Sequence, residues 1–455
     1  MHHPERDVIE ALHRIAPNPA VPPGLVAGAR LKRARRRAAL GATGAVGLLA
    51  VAVGLGAPAL LQQAGGGAMM SQDGPAAQSQ LGPMDEAPVG IQADAPTADQ
   101  ATAALASQRL AWDAILGAGP GNQVVSPSSL SLSLAMAAEG AEGDSLISVA
   151  EALGLSGEDR SAAYSSLRWA LADYETPPDR IDLEEPPATT QLHLANRLVT
   201  LGIEAEAPFV QRLERWFDVP VVATTHEEAK AVLDAWAREH TAGLIKESAI
   251  EVDPRLRLVT QDALVFSATW ATPFPVDDLP LEFDGAGTVD AMQGVVPARY
   301  AEGERWTAVR LSYDNRLSAD VILPRDGLAP SELTAADLEQ AAEALAAAPE
   351  QQVDVTMPQL DLRSKMDLLK ALPSVDLSDL GGMFDGAFAG QWWQQSVLQV
   401  SAKGTVGAAL TEMGVYESKP LSDVTFMADR PYAFRVVDTQ TDWPLFLASI
   451  TDPGA

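Results

Sequence analysis

A run of 24 residues without a charged side chain, 38–61, sets the first constraint on this 455-residue chain. As a helix rising about 1.5 Å per residue it would extend roughly 36 Å, enough to span a bilayer with some tilt. It directly follows Arg30, Lys32, Arg33, Arg35, Arg36 and Arg37, and cations on that flank put the N-terminal side in the cytoplasm. The expectation is a short basic cytoplasmic head over 1–37, a transmembrane helix or signal anchor over 38–61, and the rest of the chain outside. A cleaved signal peptide is the rival reading, with Ala57-Pro58-Ala59 as its processing site and a secreted product. Residues 62–97 are rich in Gly, Ala, Gln, Pro and Met without periodicity and read as a flexible linker. Any large core has to come from 98–455.

That segment is acidic. With eight basic and three acidic residues in the head, 24 basic and 58 acidic residues remain beyond it. Such a surface repels phosphate backbones and anionic glycans, so nucleic acid is not an expected partner. Hydrophobic content of 47% supplies a core, and the absence of cysteine removes disulfides, thiolate catalysis and cysteine zinc sites. Abundant Ala, Gly and Pro with little Lys is the composition of a GC-rich genome.

Periodicity beyond 98 is mixed. Residues 98–116 and 227–241 have helical spacing, as does 333–347, and Ser126-Pro127 caps a helix over 128–139. Alternation marks 191–199 as a strand, and 258–266 suits a central strand with Gln261 and Asp262 as its polar exceptions. Further strands are expected over 307–323, 351–357, 396–400, 424–426, 432–438 and 444–451. Helices and strands do not alternate regularly, which predicts an α+β fold with large antiparallel sheets.

Catalytic patterns are missing. None of the six histidines has metal-ligand spacing with another, and none follows His240. His193, in a predicted strand, is expected to face a core or solvent and not to act as a base. The serines near Pro127 lack a Gly-x-Ser-x-Gly elbow, and Gly117-Ala118-Gly119-Pro120-Gly121 has no following Lys-Ser/Thr. No enzyme, metal or cofactor is expected.

Several segments, in order, resemble the serpin family. Asn122 through Leu130 is similar to its Asn-x-x-x-Ser-Pro-x-Ser motif. Leu194-Ala195-Asn196-Arg197-Leu198 resembles a strand of the main sheet, and Leu258 through Ala263 with Phe266, Trp270 and Thr272-Pro273-Phe274 resembles the next strand and the breach tryptophan. Asp354 through Leu360, Lys403-Gly404-Thr405, Phe426, Asp429 through Phe434 and Leu445-Phe446-Leu447 complete the set. The resemblance covers about 98–453 and implies a serpin fold of three β-sheets, about eight or nine helices and an exposed reactive-centre loop. Taken with the apolar run 38–61 and the GC-rich composition, the chain reads as a bacterial, membrane-anchored member, monomeric in its serpin domain.

By family pattern, the implied function is suicide inhibition of a serine protease. The loop is acylated, and its N-terminal half inserts into the main sheet as a new strand. Inserted positions facing the interior must be small and uncharged. After the hinge Gly404 these are Thr405, Gly407, Ala409, Thr411 and Met413, while Val406, Ala408 and Leu410 face outward; no proline interrupts the stretch. Family loop length puts the reactive bond between Ser418 and Lys419, favouring elastase- or subtilisin-type proteases. A one-residue slip to Lys419 implies a trypsin-like target, and Tyr416 a chymotrypsin-like one.

Shutter and breach positions implied by the resemblance are Ser126, Ser129, Asp262, Trp270 and Gln394. The family's usual His and Asn are replaced by Gln394 and Asp262, for which a mutual hydrogen bond is expected. Its hinge Glu and basic breach partner are Ala402 and Ser312, a joint loss that leaves no single buried charge. The helix over 159–173 carries only Arg160 and Arg168, so no heparin-like cofactor site is expected. The alternative reading is a non-inhibitory serpin with a carrier, chaperone or surface-structural role.

Overall fold

The computed structural model describes residues 95–183, 187, 189–314, 316–325, 327–405 and 422–454. The head, the apolar run 38–61 and the linker up to residue 94 lie outside the described residues, as does 406–421. Among the described residues no helix is long and apolar enough to cross a membrane.

Eight α-helices are described: α1 (Thr97–Ala118), α2 (Pro127–Ala138), α3 (Gly143–Leu153), α4 (Gly157–Ala170), α5 (Ala207–Phe217), α6 (His226–His240), α7 (Ala335–Ala347) and α8 (Leu368–Ala371). The strands are β1 (Gln123–Val125), β2 (Gln191–Leu201), β3 (Val221–Thr224), β4 (Leu258–Thr269), β5 (Val276–Phe283), β6 (Gly287–Glu302), β7 (Trp306–Ser312), β8 (Leu317–Pro324), β9 (Glu350–Pro358), β10 (Leu360–Asp367), β11 (Trp393–Val400), β12 (Gly404–Thr405), β13 (Val424–Met427), β14 (Tyr432–Asp438) and β15 (Trp443–Ile450).

The strands build a six-stranded sheet of order β10-β11-β12-β4-β2-β3 and a nine-stranded one of order β1-β15-β14-β8-β7-β6-β9-β13, with β5 also on β6. In place of the expected three sheets the described strands form two, because the second and third run into each other along β6. Its early part pairs with β5 and β9 and its last residues pair with β7. The stretch 307–323, read from sequence as strand throughout, is a hairpin of β7 and β8 turning near Tyr313 and Asp314.

Helix α2 explains why the two sheets hold together. Ser126 caps it by accepting from Ser129 N at 3.3 Å, Pro127 occupies its first turn, and it touches both β4 and β15. Enclosed by both sheets, α2 is apolar nearly all round, and its serines turn their hydroxyls onto its own turns: Ser131 Oγ donates to Ser128 O and Ser133 Oγ to Leu130 O. Trp112, Trp306, Trp443, Tyr432 and Phe434 are fully buried in the main core. Two of the indole N–H groups find acceptors there: Trp112 donates to Leu333 O at 2.9 Å and Trp443 to Ser107 Oγ at 3.2 Å.

Neighbouring residues in a strand point to opposite faces, and β4 uses this at its two polar positions. Gln261 faces α6, where it accepts from Arg197 Nε at 2.9 Å and donates to Leu233 O at 3.2 Å. Asp262 points the other way, toward α2. His193 lies in the core of this region, as expected. Its Nδ1 is 2.6 Å from Glu175 Oε1 and its Nε2 2.9 Å from Nδ1 of His240 at the end of α6.

Candidate functional site: the central cleft of the six-stranded sheet

The two-residue strand β12 is wedged between β4 and β11. Gly404 pairs with Thr269, and Thr405 pairs with Ala268 on one side and Val400 on the other. Only glycine fits at the first position: a Cβ on Gly404 would lie 2.0 Å from Ala268 O and 2.7 Å from Thr269 Cα. Ser401 N donates to Gly404 O at 2.8 Å and Gly404 N returns to Ser401 O at 3.2 Å, closing a tight turn between β11 and β12.

Trp270 holds this turn. Its indole N–H donates to Ser401 O at 2.9 Å and its backbone N–H to Lys403 O at 2.8 Å, while its ring stacks on Tyr313 at 4.4 Å. Tyr313 OH in turn meets Thr405 Oγ1 at 2.5 Å. Where the resemblance leads one to look for an ion pair, the backbone makes the contacts: Phe274 N donates to Ala402 O at 2.9 Å and Ala271 N to Ser312 O at 2.8 Å. Losing both charged partners therefore leaves the breach closed by main chain and aromatic stacking.

Beyond Thr405 the two strands part. Among the described residues no ladder joins β4 to β11, and a cleft of about 470 Å³ runs between them. Its walls are 258–266 of β4 and 393–399 of β11, and Ser126 and Ser129 of the α2 entry lie on its floor. Each wall presents strand backbone with one edge unpaired by the other, a form of opening that an extended chain can fill.

Asp262 and Gln394 both line this cleft but do not bond each other. Gln394 Oε1 accepts from Ser126 N at 3.0 Å and its Nε2 donates to Ser126 O at 3.0 Å. That two-way pair corrects the expected Gln394–Asp262 bond: the peptide at the mouth of α2 takes both ends of the amide. Asp262 is left with both carboxylate oxygens buried and unpaired, and Asn196, directly opposite on β2, has an unpaired buried amide. Burial pushes the Asp262 carboxyl up to about 7 against the opposing pull of Ser129 and Arg168.

Of the residues named from sequence, Gly404, Thr405, Ser126, Ser129, Asp262, Trp270 and Gln394 are thus gathered along one cleft from its closed top to its middle. Val406, Gly407, Ala408, Ala409, Ser418 and Lys419 lie outside the described residues. Tyr313 escaped the sequence reading although it directly follows Ser312. Its signal was an aromatic one residue beyond a position already tied to the breach. Among the described residues no cluster of three or more His, Asp or Glu is placed to hold a metal.

The six-stranded sheet is thus parted between β4 and β11, with the short strand β12 seated at the top of the gap. A family model described as serpin (serine protease inhibitor) matches residues 107–453, and the chain belongs to the serpin family. It is 26% identical over 362 residues to an uncharacterized serpin-like protein of Thermococcus kodakarensis, covering 74% of this chain and 82% of that one. To the leukocyte elastase inhibitor of Bos taurus it is 26% identical over 370 residues, covering 73% and 93%. Among solved structures the thermophilic serpin tengpin in its native state superposes with a TM-score of 0.65 at 19% identity, over 77% of this chain and 94% of that one, a likeness of fold.

Proposed function

We propose that this serpin is an inhibitor that traps a serine protease by inserting its own loop into the cleft between β4 and β11. The cleft itself carries this reading: it begins where Thr405 ends and offers hydrogen-bonding edges on both sides. The residues that follow Thr405 suit it, because the positions of its parity remain small or uncharged through Met413. In the proposed reaction the protease serine Oγ attacks the Ser418 carbonyl. The Ser418–Lys419 peptide bond breaks, the Lys419 amine leaves with a proton, and Ser418 stays esterified to the enzyme. Insertion then adds a strand to two ladders at once, at roughly 1 kcal/mol net per hydrogen bond, and carries the ester away before water completes hydrolysis.

A small residue at 418 favours proteases with small or permissive primary pockets, elastase- or subtilisin-like, and one relative is named for inhibiting leukocyte elastase. The apolar run 38–61 would tether the inhibitor on the outer face of a membrane, where such enzymes are met. The test is incubation of the protein with elastase-, subtilisin-, trypsin- and chymotrypsin-like enzymes, read by denaturing gel and intact mass. A covalent complex with release of 419–455 is expected. Loop cleavage with neither a complex nor a rise in thermal stability would leave a carrier or structural role instead.

A further inference from the structure

The lower end of the cleft is crossed by one side chain. Gln391, two residues ahead of β11, accepts from Glu251 N at 2.9 Å through Oε1 and donates to Glu251 O at 2.8 Å through Nε2. Glu251 lies in the segment between α6 and β4, so the amide joins the lead-in of β11 to the lead-in of β4. It engages both polar groups of one peptide unit's residue, as a neighbouring strand would. Gln391 and Ile250 both border the cleft, while Trp392, next in sequence, is fixed to the scaffold through its carbonyl, which accepts from Leu368 N at 2.7 Å.

The register at the top fixes what this crossing would meet. Thr405 pairs with Val400 and with Ala268. A strand continuing both ladders would set position 413 opposite Trp392 and Thr260, and position 414 opposite Gln391. At inward parity the residues stay uncharged through Val415, and Glu417 is the first charge. The clasp therefore lies across the path of a strand that enters as far as position 414.

We propose that the Gln391 side chain is a clasp that positions β4 and β11 for insertion and limits how fast and how deep a strand enters between them. This rests on the insertion reading above. The contact uses the backbone of Glu251, so the identity of the Glu251 side chain is immaterial to it. Opening the cleft to its full length requires both hydrogen bonds to break, and each is exposed enough for water to replace it.

The experiment follows annealing of a labelled synthetic peptide of sequence 405–413 to the full chain by mass and fluorescence. Gln391→Ala should anneal about five- to tenfold faster than the parent, the effect of two weak hydrogen bonds on a barrier. Gln391→Glu, which keeps only the acceptor, should fall between them, and Glu251→Ala should match the parent. Equal or slower annealing by Gln391→Ala overturns the clasp while leaving insertion intact. Failure of the peptide to anneal to any of the four proteins overturns insertion itself and the clasp with it.

Discussion

The hydroxyls of Thr405 and Tyr313 meet at 2.5 Å, with both residues buried, Thr405 at 2% and Tyr313 at 4% exposure. The bond links Thr405, the last residue of β12, to the aromatic stack of Tyr313 on Trp270, and Trp270 grips the turn that carries Thr405. The hinge is thereby fastened to the body of the sheet by a closed loop of contacts.

Thr405→Val should lower thermal stability by about 1–3 kcal/mol, because it strands the Tyr313 hydroxyl in a dry site. Tyr313→Phe should cost a similar amount, and the double variant clearly less than the sum. Additive losses in denaturant titrations would show that the two hydroxyls are not coupled.

Gly404→Ala tests the close approach at the hinge. A Cβ at 2.0 Å from Ala268 O cannot be accommodated without moving backbone, so β12 should detach from β4. The expected outcome is slower loop insertion after cleavage, seen as a smaller or delayed rise in melting temperature. The parent rate in this variant would mean that the Gly404–Thr269 pairing has no part in insertion.

The nine-stranded sheet has its own polar anchor. Asp320 is fully buried and receives Arg310 Nε at 2.6 Å and Nη2 at 3.0 Å, with Arg435 Nη2 at 2.8 Å; Arg435 also reaches Gln108. Burial alone would raise its pKa, but the two guanidiniums hold it below the ordinary carboxylate value. Asp320→Ala leaves two buried cations facing each other and should cost about 3–5 kcal/mol, enough to prevent folding at moderate temperature. A variant that melts within a few degrees of the parent would show that water or rearrangement replaces the carboxylate.

The sequence was most legible where one face of an element is buried and the other is not. Periodicity located α1, α6 and α7 in this way, while α2, β14 and β15, buried on both faces, were legible instead from the cap Ser126 and from sequence that is mainly apolar apart from the buried Arg435 and Asp438. It was least legible across 276–302, where β5 and β6 form. There Leu279-Pro280, Gly285, Gly287 and Pro297 break local propensity, and pairing with β9, a partner distant in sequence, supplies what the segment lacks. The site divides in the same way. Gly404, Trp270 and Asp262 stood out by motif, but the partners of Gln394 depended on which backbone groups α2 left open. A side-chain amide equally able to bond a carboxylate or a peptide carries no sequence signal for the choice. Gln391 was invisible for the same reason.

Asp262 gives the protein a pH dependence of definite sign. Its carboxyl titrates at about 7 in the folded state against an ordinary 3.8, because burial penalises the charge. Between those values the folded chain holds a proton that the unfolded chain has released, so this residue's contribution to stability falls as pH rises from about 4 to 7. Above 7 both states are ionised and the loss stays constant, at most roughly 4 kcal/mol. Asp262→Asn keeps a neutral side chain of the same shape, one that can also bond Asn196 across the β2–β4 pair. The difference in melting temperature between Asp262→Asn and the parent should be small at pH 4, grow in favour of the variant up to pH 7, and then level off. Because other carboxylates titrate identically in both proteins, the difference isolates this one. A difference that stays flat from pH 4 to 8 would show that Asp262 is ionised throughout, and that the cleft admits enough water to keep its charge.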